Sequence, residues 1–171
     1  KEFNFKTSLA SKLSGNQFTN PYLFYTLSFK QAFPLGNRAT MQYSITSGSS
    51  LNRKLEGPNT YYIGGYGNTY PINMLSFFGY ERMELFNDGL NALGTEIHYN
   101  FYGKHYFKAI ANAGYAMDLT SSDPLKFNST FIAGYGGGYA YNSPVGPMQI
   151  FVARNAAQPT WKLYLYLGFW F

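Results

Sequence analysis

Trp161-Lys162-Leu163-Tyr164-Leu165-Tyr166-Leu167-Gly168-Phe169-Trp170-Phe171 is the stretch whose reading decides the fold. Every second residue from Trp161 to Phe171 is large and apolar, so a strand here carries one continuous greasy face. Lys162, Tyr164, Tyr166, Gly168 and Trp170 fall on the other face, which is amphipathic rather than buried. A bilayer is crossed by about 9–11 tilted strand residues, and the stretch is long enough to do so. The last strand of a soluble sandwich would show the same rhythm, so the rest of the chain has to decide.

Composition favours lipid. The 171 residues suffice for one domain. Aromatic residues make up 20% and charged residues only 12%, where a soluble domain carries about 25% charged. Mean hydropathy is nevertheless −0.24, and no run of about 18 apolar residues offers a membrane helix. Strand alternation reconciles these facts, because one face meets lipid while the other meets water or loops. The absence of cysteine rules out a disulfide framework and a cysteine zinc site. A net charge of +5 is modest and scattered, with only Arg53-Lys54 adjacent, so the chain lacks the basic stripe that nucleic acid requires. Lys1-Glu2-Phe3-Asn4 opens directly in alternation, which predicts a mature chain whose export signal has been removed.

The rhythm recurs along the chain. Alternation predicts strands over about 2–13, 20–33 and 38–48, the last setting Met41, Tyr43 and Ile45 against Gln42, Ser44 and Thr46. Residues 49–89 then lose it. They hold Gly57-Pro58, Gly64-Gly65, Gly67 and Gly79 with aromatics between, too long for a mere connector and too apolar for disorder. Strands resume at about 91–101, 105–117 and 128–141, then after Asn142-Ser143-Pro144, then in the terminal stretch. In the 128–141 strand Phe131, Tyr135 and Tyr139 share one face, while Gly134, Gly136 and Gly138 leave the other nearly bare. That bare face suits a loop backbone lying closely on it or, equally, a simple bend of the strand. The eight strands return both ends to one side, the expected periplasmic side, and put the 49–89 loop on the other.

With the strands placed, the sequence resembles the last eight strands of the bacterial surface antigen barrels, the superfamily of the insertase BamA and the two-partner secretion transporters. It is most similar to the barrel that follows patatin-like phospholipase domains. The resemblance rests on Tyr61-Tyr62-Ile63-Gly64-Gly65-Tyr66-Gly67, Phe77-Phe78-Gly79-Tyr80, the strand from Leu93, Ser143-Pro144-Val145-Gly146-Pro147 and the aromatic end. It implies that the long loop folds back into the barrel lumen, with Gly64, Gly65, Phe77, Phe78, Gly79, Tyr80 and Arg82 as its motif. It also implies that Leu167, Phe169 and Phe171 form the signal read by the outer-membrane assembly machinery. The sequence departs from the family at the motif's arginine. Phe78 stands in its place and the nearest cation is Arg82, so an aromatic contact is expected to replace the family's loop-to-strand ionic contact.

Enzymatic chemistry is not expected. No Gly-x-Ser-x-Gly elbow occurs, so the patatin lipase activity has no nucleophile here. Glu96 and His98 share a strand face, with His105 near in sequence, a set that could ligate a metal or relay protons. A lumenal hydrogen-bonding role for Glu96, His98 and Lys108 is the better expectation, since polar residues line any such barrel. No metal or other cofactor is expected.

The fold expected is thus an all-β, antiparallel transmembrane β-barrel with eight strands per chain, in a Gram-negative outer membrane and in contact with its lipid. Eight strands enclose a space only just wide enough for side chains. Either the loop stays outside, as in a small structural or adhesive barrel, or two copies complete a sixteen-stranded barrel, and the homodimer is favoured. The expected domain plan is three strands in 1–48, a lumen-entering loop in 49–89 and five strands in 90–171. The expected function is insertion or translocation of protein or lipid, the alternatives being the small barrel or the barrel half of a patatin-like phospholipase.

Overall fold

The computed structural model describes residues 2–14, 17–50, 60–67, 73–119, 127–158 and 160–168. Eight long strands form one antiparallel sheet in chain order: β1 (Glu2–Ser14), β2 (Gln17–Pro34), β3 (Ala39–Ser50), β7 (Gly89–Tyr102), β8 (His105–Leu119), β9 (Phe127–Ser143), β10 (Gly146–Asn155) and β11 (Lys162–Leu167). No helix occurs among the described residues. Between β3 and β7 lie three short strands, β4 (Tyr61–Ile63), β5 (Met74–Leu75) and β6 (Leu85–Asn87), in the separate order β5-β4-β6. Three long strands thus precede the loop and five follow it. Because no period of two runs through 49–89, this small sheet was not foreseeable from the sequence.

Register confirms the faces that alternation implies. Leu93, Ile97, Phe107, Tyr115, Phe131, Tyr135, Ile150, Val152, Leu163, Leu165 and Leu167 are exposed on the convex side. Tyr99, Phe107, Tyr139, Ile150 and Leu165 form one cross-strand row, and Tyr115 pairs with Phe131 eight residues further along β8. Eight residues of strand are about 26 Å, which at the usual tilt of about 35–45° carries the strand about 20 Å through a bilayer, most of the lipid-facing band between aromatic girdles. Phe101 and Phe107 stack at 4.6 Å on one girdle, and Tyr115 meets Phe131 edge-on at 5.5 Å on the other. Ala109, Ala111 and Ala113 lie between them on β8. This is the distribution of a sheet whose outer face is solvated by lipid.

The two outermost strands are β1 and β11, and no pairing joins them among the described residues. Among the described residues the sheet is thus open, with β1 and β11 at its edges. Glu2 pairs with Lys30 near the Pro34 turn, and Leu167 pairs with Met148 near the 143–146 turn, so both outermost strands point one end the same way. The terminal strand is described over only part of the eleven alternating residues. Its ladder covers Lys162–Leu167, with one further hydrogen bond from the Gly168 amide to the Pro147 carbonyl at 2.8 Å, and Phe169–Phe171 lie outside the described residues.

Candidate functional site: the loop docked on the inner face

The loop is clamped to the concave face by side chains that the strands present every second residue. Tyr61, Ile63, Leu75, Phe77 and Tyr80 from the loop, with Leu90, Ala116 and Ile132 from the sheet, make one buried cluster. Phe78 packs with Ile110, Phe151 and Ala153 in a second. Apolar burial of this kind contributes about 1.5–3 kcal/mol per large side chain, so it is the main force holding the loop down.

Backbone contact is direct at one point. A Cβ built on Gly134 would lie 1.9 Å from the Phe78 carbonyl oxygen, and Gly79 (φ +93°) sits against the Gly134 Cα and the Arg154 carbonyl. Only a residue without Cβ admits that approach on both sides. Gly136 and Gly138 do something else. Their missing side chains make room for the neighbouring β10 backbone and, at Gly138, for the Phe151 ring, so of the three glycines singled out only Gly134 meets the loop backbone.

Two asparagines finish the clamp. The Asn112 amide, oriented so that each atom finds a partner, donates to the carbonyls of Phe78 (3.1 Å) and Gly134 (2.8 Å) and accepts from the Phe78 amide (2.8 Å). Asn155 is buried and donates to the Gly79 carbonyl at 3.2 Å. A buried peptide without partners costs about 1–3 kcal/mol, so these amides let a turn sit where water is scarce. Asp88, also buried, accepts from the Leu119 amide at 2.8 Å and ties the loop's exit to β8.

Phe78 occupies the place expected of an arginine. Its ring lies 5.6 Å from Tyr66, 5.7 Å from Phe151 and 5.9 Å from Tyr164, in an aromatic cluster spanning loop, β10 and β11. An ionic contact between loop and strand exists all the same, with the signs exchanged. Lys162 on β11 donates to Glu84 of the loop at 2.6 Å, with Glu81 at 3.7 Å. Arg82 itself is exposed and lies near Tyr164 and Tyr166.

Glu96, His98 and Lys108 lie together on the inner face, and Tyr66 joins them. Glu96 accepts from Lys108 at 3.0 Å and from the Tyr66 hydroxyl at 2.9 Å, and its Oε1 also meets His98 Nε2. Tyr66, which sequence reasoning placed only among loop aromatics, carries this network onto the loop. His105 does not join. Its ring faces Tyr139 and Tyr141 on the convex side, so the Glu96–His98–His105 set does not converge. No group of three potential metal ligands occurs among the described residues.

Beside the loop a cavity of about 350 Å³ is lined by Lys30, Thr46, Glu96, His98, Lys108 and Gln149, among others. On the loop itself, burial pushes the Tyr61 phenol above its ordinary value, with the hydrogen bond to Thr26 pulling the other way. Burial, then the nearby Glu84, raises that of Tyr80. Both phenols therefore stay neutral near pH 7. The arrangement holds the loop against the sheet and shields its polar groups.

No curated protein and no solved structure matches this chain. One family model does, over residues 1–171, and its description is the OMP85 superfamily.

Proposed function

Since the chain belongs to the OMP85 superfamily, we propose that this protein of outer-membrane β-barrel type forms half of a barrel that inserts or translocates protein or lipid. A second copy supplies the other half, and the two eight-stranded sheets make sixteen strands. The observation that carries the reading is the loop backbone seated against Gly134 on the inner face. An interior of eight strands accommodates side chains alone, and here it would have to hold a folded segment with its own three-stranded sheet. The outer edges of β1 and β11, which have no partner strand among the described residues, argue the same way, because open edges in hydrocarbon leave backbone groups unsatisfied at several kcal/mol each. Leu167, exposed on the outer face, together with Phe169 and Phe171, would present the chain to the assembly machinery.

Depleting the protein from its host and quantifying the outer-membrane proteome and surface lipid tests the activity. A selective loss of one protein class or of outer-leaflet lipid is expected. An unchanged membrane, with the protein verifiably gone, would count against insertion or translocation and favour the structural or adhesive small barrel. Protease treatment of intact cells separates those two independently. Cleavage at Arg53, Lys54 or Arg82 marks a projecting loop, and protection marks a lumenal one.

A further inference from the structure

The loop touches the sheet nearly from side to side. At one flank the Tyr61 hydroxyl donates to the Tyr25 carbonyl of β2 and lies 3.2 Å from the Thr26 hydroxyl. In the middle, Asn112 of β8 and Asn155 of β10 hold the peptides at 78–79. At the far flank Lys162 of β11 is bound to Glu84, and Tyr166 meets Tyr66 at 6.3 Å. One covalently continuous segment thus anchors strands β2 and β11, each next to or at an edge of the sheet.

We propose that the 49–89 loop is a strut that sets the curvature of the sheet, holding β1 and β11 of one chain apart so that each edge is left for a second copy. The inference rests on the barrel-half reading and adds its cause. Pairing β1 with β11 in one chain would satisfy every edge hydrogen bond without a partner, so something has to prevent it. The concave face by itself does not. Gly134 and Ala140 are small, and eight strands close over side chains alone once the space above Gly134 is free of the loop. What prevents closure is the loop, whose packed aromatics fill that space and whose Tyr61 and Glu84 are fastened to β2 and β11. The strut is also separable from the sheet. Gly48 pairs with Leu90 and Ser49 with Gly89, so β3 and β7 are already a hairpin with the loop inserted at its tip.

The experiment replaces residues 50–88 by Asn-Gly, a turn that closes two-residue hairpins. The natural chain has no cysteine, so pairs can be introduced cleanly, one on β1 between Asn4 and Ala10 and one on β11 between Lys162 and Tyr166. Oxidation in detergent micelles followed by denaturing electrophoresis distinguishes links within a chain from links between chains, and native mass spectrometry counts copies. The full chain is expected to link between chains in a two-copy particle. The shortened chain is expected to link within one chain as a single-copy particle. A shortened chain that stays a two-copy particle with interchain links overturns the strut and leaves the barrel-half reading standing. A full chain that is monomeric with intrachain links overturns both.

Should the shortened chain not fold, the full-length Lys162→Glu, Asn112→Ala double variant decides. A severalfold rise in the intrachain fraction supports the strut, and an unchanged ratio overturns it.

Discussion

Gly134 is where a single methyl group has the clearest consequence. Alanine there would place Cβ 1.9 Å from the Phe78 oxygen, inside any real contact, so either the loop lifts or β9 moves. Gly134→Ala is expected to open the Arg82 region to trypsin in reconstituted vesicles that shield it in the parent, at an overpacking cost of about 1–3 kcal/mol. Phe77 is 1% exposed, and Phe77→Ala is expected to cost about 3–5 kcal/mol in urea unfolding of the folded, heat-modifiable band. At this scale the sequence was only partly legible. The polar trio Glu96, His98 and Lys108 could be found because alternation puts all three on one face. Asn112 and Asn155 were missed since an inner-face amide looks the same whether it meets water or a peptide. Their one signal is position, for each is a polar side chain flanking the glycine-bare strand.

Strand β11 shows how an element carries two environments at once. Leu163, Leu165 and Leu167 are more than 60% exposed on the outer face, while Lys162 is turned inward onto Glu84. Leu163→Arg, inward of the Leu165 row, is expected to lower stability in lipid vesicles by about 1–3 kcal/mol, since a lipid-facing arginine costs about 2–4 kcal/mol at the bilayer midplane and less toward the interfaces. Lys162→Glu acts through a different contact, setting an acid against Glu84 and Glu81. Thermal unfolding in vesicles is expected to show that loss and its partial recovery when Glu84→Lys restores an opposite pair. Double-mutant coupling near zero would mean that β11 is held by its tyrosines alone. The strands were readable because a period of two is a local property. The loop's small sheet was not, since strands of two or three residues carry no period and β4 pairs in parallel with β5 across an intervening segment.

At the scale of the molecule, the two faces of one sheet divide the labour. The convex face carries an apolar band between aromatic rows, and the concave face carries glycines, polar groups and a packed loop. Fold class could be argued from composition and rhythm alone because lipid on one side and protein on the other is what produces few charges, many aromatics and unremarkable mean hydropathy. The pairing of the edge strands could not be read in the same way, since a period of two reports which face a residue takes and not which strand lies beside β1 or β11.

The most direct test of this division is a fluorophore scan along β8, one label at a time from Phe107 to Tyr115, in vesicles containing lipid-borne quencher. The account predicts strong quenching at 107, 109, 111, 113 and 115 and weak quenching at 108, 110, 112 and 114. Uniform quenching, or protection at the odd positions, would contradict it.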